Sequence, residues 1–196
     1  MILNDTHLAH YLGIRQSKSP ALPSDSYASV GMSPAIDELT QLQPASIDLR
    51  LGPNVTRFER SFGTVDAAEG LSHKDLRQQR CVESLDIAPG EFLLAHTLEY
   101  IELPDNLTGR VEGRSSIGRL GVAVHITAGF IDPGFSGQIT LEIVNLSRRP
   151  VRIPIGHRCC QLVLETMTGP AARPYGSKEL GSRFQHQTGA QPFERA

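Results

Sequence analysis

The chain contains no tryptophan, only three cysteines in 196 residues, and 6% aromatic residues. An odd cysteine count with two adjacent members argues against a disulfide framework, and Cys81, Cys159 and Cys160 lack the spacing of a metal site. They are expected to be packing residues. Charge of one sign is also missing: 19 Lys and Arg stand against 21 Asp and Glu, so no basic excess points to nucleic acid as a partner. The longest mostly apolar stretch, LGVAVHITAGFI, is broken by His125 and Thr127 and falls short of a membrane span. MILNDTHLAHYL has no basic segment before an apolar run, which predicts a cytoplasmic protein with no membrane partner. Internal repeats and low-complexity tracts are absent too, so an ordinary core of one domain is the expectation.

What is present reads mainly as β-structure. Asp5 or Thr6 can cap a short helix carrying Leu8 and ending near Gly13. Residues 15–46 are rich in Ser and Pro and read mostly as loop, with a short helical possibility in AIDELTQL. From SIDLRLG onward the period becomes two, Ile47, Leu49 and Leu51 alternating with Asp48 and Arg50. VTRFERSF, PGEFLLAHTLEYIELPDNLTG, RLGVAVHITAGFIDPGFSG, QITLEIVNLS and RPVRIPIGHRCCQLVLETM continue as short strands between turn signals. This spacing predicts an all-β sandwich, jelly roll or barrel with short helices. After Pro174 no apolar period remains, and the tail is expected to be mobile until something orders it.

Three groups of residues carry possible chemistry. In QITLEIV a strand would turn Ile139, Leu141 and Ile143 to one face and Thr140 and Glu142 to the other. A carboxylate between apolar neighbours on a strand interior fits a cleft or a solvent-facing edge, and Asp132, ten positions earlier, precedes the turn PGFSG. In GRSSIGRLG, Ser115 or Ser116 can cap a one-turn helix flanked by Arg114 and Arg119, which on these residues alone reads first as a plain surface cap and second as a polyphosphate site. In the tail, Tyr175, Arg183, Phe184 and Gln187 sit among glycines and can either close over a ligand or fray.

Taken in order, QPASIDLRLG, GRVEGRSSIGRLGV, HITAGFIDPGFSGQITLEIVN, PIGHRCCQL and RPYGSKELGSRFQHQTGA resemble the dCTP deaminase branch of the trimeric dUTPase superfamily. The resemblance implies a distorted β-barrel or jelly roll of the dUTPase-like type. Residues 1–174 would form that domain, with a loop insertion at 15–42, and residues 175–196 a tail closing over the site. It implies a homotrimer with active sites between subunits, dCTP as substrate, Mg2+ on the triphosphate, and dTTP as feedback inhibitor. Glu142 matches the general base and acid, with Ser115, Arg119 and Ala128 around the attacking water. Asp132 matches the aspartate that meets the deoxyribose. Arg114, Ser115, Ser116, Ile117, Gly118, Arg119, Thr140, Leu141, Gln161, Tyr175, Arg183 and Gln187 match nucleotide-contacting positions, Arg183 standing where many relatives have Lys. Zinc is not expected, since no H-x-E with a following P-C-x-x-C occurs.

Gly129 and Phe130 decide between two reactions by the same resemblance. They read like the dUMP-forming deaminases and the dUTPases, whereas monofunctional deaminases commonly carry His-Arg there. The expected activity is therefore hydrolysis of dCTP to dUMP, ammonia and diphosphate. A deaminase that releases dUTP is the alternative. A plain dUTPase fits less well, because its position ten after the Asp is usually apolar, and a non-catalytic nucleotide-binding module would not need Glu142, Asp132 and Ser115 together.

Overall fold

The computed structural model describes residues 1–14, 29–59, 64–81 and 83–193. The first helix, α1 (Asp5–Tyr11), turns Leu8, Ala9 and Tyr11 inward. Its cap is Asn4, one residue before the expected Asp5 or Thr6, because the Asn4 side chain accepts the His7 N–H at 3.0 Å. Of the stretch read mostly as loop, 15–28 lies outside the described residues. The remainder holds a short strand, β1 (Gly31–Ser33), and the helical turn α2 (Glu38–Gln41), the latter within AIDELTQL where a short helix is expected. Asp37 caps α2 by accepting the Leu39 N–H at 3.0 Å.

The strands that follow are β2 (Leu42–Gln43), β3 (Ser46–Arg50), β4 (Asn54–Phe58), β5 (Leu76–Arg80), β6 (Ser84–Ile87) and β7 (Phe92–Glu102). After β8 (Leu107–Gly113) comes the one-turn helix α3 (Ser115–Gly118), then β9 (Val122–Ala123), β10 (Phe130–Ile131), β11 (Ser136–Asn145), β12 (Val151–Pro154) and β13 (Arg158–Thr166). The expected strand VTRFERSF is β4 at its start, and its residues 60–62 lie outside the described ones.

One sheet runs β5-β4-β7-β11-β9 with β1 added on β7, the other β10-β8-β13-β3-β2, and β12 pairs with β6. Every pairing between these strands is antiparallel. Neither large sheet closes on itself, so the architecture is an open, jelly-roll-like arrangement. Its core draws on both large sheets: Ile47 and Leu49 from β3, Leu93, Ala95 and Ile101 from β7, Leu141 and Ile143 from β11, and Leu162 and Leu164 from β13 are all fully buried. The period-two pattern explains this, since alternate residues of each strand face the shared interior. All three cysteines are buried thiols. Burial pushes the Cys81 thiol up, and a hydrogen bond with Cys159, together with burial, holds that of Cys160 well above the usual range.

Polar side chains also enter this core. Asp48 and Glu99 have no solvent exposure, although Asp48 belongs to the face of β3 expected to be polar. His96 on β7 is buried beneath Gly52, where a Cβ would stand 2.2 Å from the ring. Its Nδ1 lies 2.8 Å from the Thr97 carbonyl and its Nε2 accepts the Asn54 N–H at 3.1 Å, so the neutral ring is satisfied on both sides.

Burial pushes the His96 pKa below its ordinary value. The unfolded chain therefore binds a proton near pH 6.5 that the folded chain still refuses. The His96 contribution is complete above about pH 6.5 and is lost as the pH falls towards the lower folded value. Urea unfolding of the native protein should show a lower midpoint at pH 5.5 than at pH 7.5, and His96→Gln should flatten that difference. An equal slope in the variant would remove His96 as its source.

Candidate active site

The outward face of β11 forms one wall of a cavity of about 580 Å³. Strand alternation turns Ile139, Leu141 and Ile143 into the core and leaves Thr140 and Glu142 half-buried on the other face, as their spacing predicts. Six of the chain's seven phenylalanines, Phe58, Phe92, Phe130, Phe135, Phe184 and Phe193, line this cavity. Such walls suit a flat, partly apolar ring, and the few polar groups among them set its orientation.

Glu142 is one of those polar groups. Its Oε2 accepts both the Thr127 backbone N–H at 3.0 Å and the Thr127 hydroxyl at 2.6 Å. No described group donates to Oε1, which leaves one oxygen free to exchange a proton. His125 Nδ1 accepts the Glu142 N–H at 3.5 Å, while its Nε2 is buried without a partner among the described residues. Thr127 and His125 were not singled out by sequence reasoning. They lie in an irregular stretch before β10, where no period marks which side chain turns back toward β11.

Ala128, Phe130, Asp132, Thr140, Tyr175, Arg183 and Gln187 line the same cavity as Glu142. Gly129 is backed against other groups instead: a Cβ there would lie 3.0 Å from the Val111 carbonyl oxygen and 3.4 Å from the His125 ring. Leu141 does not present its side chain to the cavity, because it is fully buried in the core.

The tail lies along the cavity mouth. Tyr175 packs at 6.0 Å from Phe135 between ring centres, and its hydroxyl accepts the Phe184 N–H at 3.1 Å. Gln187 pairs with Gly137, donates through Nε2 to the Gln138 carbonyl at 2.7 Å, and accepts the Gln138 N–H on its own carbonyl at 2.9 Å. The segment without an apolar period is thus held by main-chain and amide bonds together with the packing of Tyr175 and the burial of Ala190.

The remaining candidates form a second group. Arg114 precedes α3 as its N-cap and has no side-chain cap bond, so neither Ser115 nor Ser116 caps the helix; both are exposed first-turn residues. Ile117 is buried, Gly118 and Arg119 are exposed, and the Arg119 N–H bonds the Ser115 carbonyl at 3.0 Å. The Arg114 Nε lies 2.8 Å from Asp48 Oδ2, and its Nη1 reaches Ser116 Oγ at 3.4 Å. Gln161 donates to Asp48 at 3.2 Å and to Ser46 Oγ at 3.1 Å. None of Arg114 to Arg119, nor Gln161, lines the cavity of Glu142 within the one chain. Among the described residues no three His, Cys, Asp or Glu side chains are placed to hold a metal ion, and no helix is long and apolar enough to cross a membrane.

Residues 26–167 match the family model described as dCTP deaminase-like. A protein of Methanosphaera stadtmanae named dCTP deaminase, dUMP-forming, is 45% identical over 166 residues, covering 80% of this chain and 83% of its own. One of the same name from Dictyoglomus thermophilum is 40% identical, covering 96% and 92%. Another, from Mycobacterium avium, is 45% identical, covering 83% and 86%. The fold is similar to that of the crystal structure of 2'-deoxycytidine 5'-triphosphate deaminase from Agrobacterium tumefaciens, with TM-score 0.62 and 22% identity over 85% of this chain. This chain spans 48% of that longer one. With most of its length matched by the family model and by relatives at these identities, the chain belongs to the dCTP deaminase-like family.

Proposed function

We propose that this chain is a dCTP deaminase of the dUMP-forming type, converting dCTP and two waters to dUMP, ammonia and diphosphate. The observation that carries the reading is the shared cavity of Glu142 and Asp132 in a chain 40 to 46% identical to proteins of that name. In the first step Glu142 Oε1 takes a proton from a water that attacks C4 of cytosine, and the carboxyl then passes protons to the amino group, which leaves as ammonia. The Thr127 pair of hydrogen bonds holds Oε2, so the proton is exchanged at Oε1. In the second step Asp132 orients a water toward the α-phosphate, and diphosphate leaves. The Phe130 side chain, 59% exposed at the cavity, puts a neutral ring where a cation would otherwise compete for phosphate.

The active unit in this reading is a homotrimer in the cytoplasm. The separation of the Arg114–Arg119 stretch and Gln161 from the cavity supports it, because these residues can serve the Glu142 cavity of a neighbouring copy. Ser115 and Arg119 would then meet the attacking water, with Ala128 beside it through its backbone, and Arg114 and Ser116 would meet phosphate. Mg2+ is a hard ion that keeps water and phosphate oxygens as ligands, which fits a chain offering exposed Ser115 and Ser116 hydroxyls and no three-residue metal cage among the described residues. When bound it neutralises polyphosphate charge. A thymine nucleotide, dTTP, is of a size to occupy the same cavity and would inhibit by doing so. A deaminase that stops at dUTP remains the second reading, because the same Glu142 geometry serves it.

Incubation of the purified protein with dCTP and Mg2+, following ammonia, dUTP, dUMP and diphosphate together, separates these readings. Ammonia with dUMP and diphosphate, and little free dUTP, is expected; accumulating dUTP would show that the second step is absent. Glu142→Gln should retain dCTP binding and lower ammonia release about a hundredfold or more, since an amide accepts no proton. Turnover at the native rate would remove Glu142 from its role. Asp132→Asn should lose diphosphate release more severely than nucleotide binding, with dUTP appearing in its place. Thr127→Val should lower kcat roughly tenfold, the scale of one hydrogen bond to a charged group, with little change in KM.

A further inference from the structure

The tail continues past the segment that pairs with β11, and its far end returns to the cavity. Phe193 is anchored there by the loop between β4 and β5: the Leu71 N–H donates to the Phe193 carbonyl at 2.8 Å. Gly70 makes that approach possible. Its φ is +79°, and a Cβ at this position would stand 2.7 Å from the Phe193 carbonyl oxygen and 3.0 Å from its ring. On the ring held in this way rests the Arg183 guanidinium, 4.6 Å from the ring centre. No carboxylate pairs with Arg183 among the described residues.

Stacking uses the face of a guanidinium and leaves its N–H edge free, so a stacked arginine can still donate in plane to phosphate oxygens. An ammonium has no such separation of face and edge. This gives a physical reason for arginine rather than lysine at position 183: here the cation has a platform.

We propose that Phe193 is a positioning residue that holds Arg183 at the cavity mouth for the substrate's polyphosphate, and that Gly70 and Leu71 hold Phe193 in place. The inference rests on the reading of the cavity as a dCTP site, with Arg183 facing the phosphates. Phe193 touches no reacting atom in that reading; it acts through Arg183, and so it governs binding rather than the proton transfers at Glu142.

The test is steady-state kinetics of the full chain with dCTP and Mg2+. Phe193→Leu keeps an apolar side chain but removes the ring face, and it should raise KM about two- to fivefold with kcat unchanged, the scale of an exposed cation–π contact. Phe193→Tyr, which keeps the ring face, should restore the native KM. Gly70→Ala should raise KM as Phe193→Leu does, and the two together should be no worse than either alone. Phe193→Leu added to Arg183→Ala should have no further effect. A native KM in Phe193→Leu, a fall in kcat instead, or full additivity with Arg183→Ala would overturn the proposal. Native turnover of dCTP is the control: without it the dCTP reading itself fails, and with it only the role of Phe193 is at stake.

Discussion

Two carboxylates that water does not reach hold this structure to a single arrangement. Asp48 on β3 and Glu99 on β7 come from the two large sheets, and each is fully buried. A buried charge costs several kcal/mol unless it is paired and hydrogen-bonded, so the surrounding elements must supply partners at once. Glu99 takes the Arg50 N–H at 2.9 Å, the Arg50 Nε at 2.6 Å and the Gln41 amide at 2.9 Å, tying β3 and α2 to β7. Asp48 takes Arg114 at 2.8 Å, with Arg158 and Gln161 each at 3.2 Å, tying the entry of α3 and strand β13 to β3. Apolar packing alone tolerates many registers; these bonds tolerate one.

The same constraint reaches the candidate site. Arg114 and Gln161, which the proposed reaction uses on the substrate, are two of the three side chains that the Asp48 carboxylate holds, Arg158 being the third. The Glu142 side is fixed by another means, a strand interior whose alternation points the carboxylate outward and a threonine that grips one of its oxygens from the loop before β10. Precision in the first group comes from buried charge, and in the second from regular backbone with one local clamp. Both place their polar groups on rigid elements, while the tail that covers the cavity is held by hydrogen bonds to β11 and the packing of Tyr175 on Phe135. A cover of that kind can open for substrate without disturbing the walls.

Much of this was legible in the residues. Period two from Ser46 onward marks the strands, and the face carrying Glu142 follows from Ile139, Leu141 and Ile143. The ordered motifs name the family, and eight of the residues they single out, Ala128, Phe130, Asp132, Thr140, Glu142, Tyr175, Arg183 and Gln187, meet at one cavity. Less legible were features whose cause is remote in sequence. Asp48 reads as a surface residue of a half-buried strand because its partner Arg158 stands 110 residues away. Asn4 rather than Asp5 caps α1 because candidates one residue apart look alike until the chain direction is known. The stretch holding β1 reads as loop because a three-residue strand has too few positions to show a period.

The sequence by itself determined that Ile47 and Leu49 of β3 and Ile139, Leu141 and Ile143 of β11 face inward, and which family of chemistry the chain carries. Both are local properties: alternation follows from backbone geometry, and motifs are read within a few residues. Only the tertiary structure decided that Thr127 holds Glu142, that Asp48 lies in the core between two arginines, and that Arg183 rests on Phe193. It also decided that Ser115 and Arg119 lie apart from the cavity of their own chain. The reason is physical. Those contacts are made between segments brought together by sheet pairing and burial, and the free energy that selects them belongs to the whole packed chain rather than to any stretch of it.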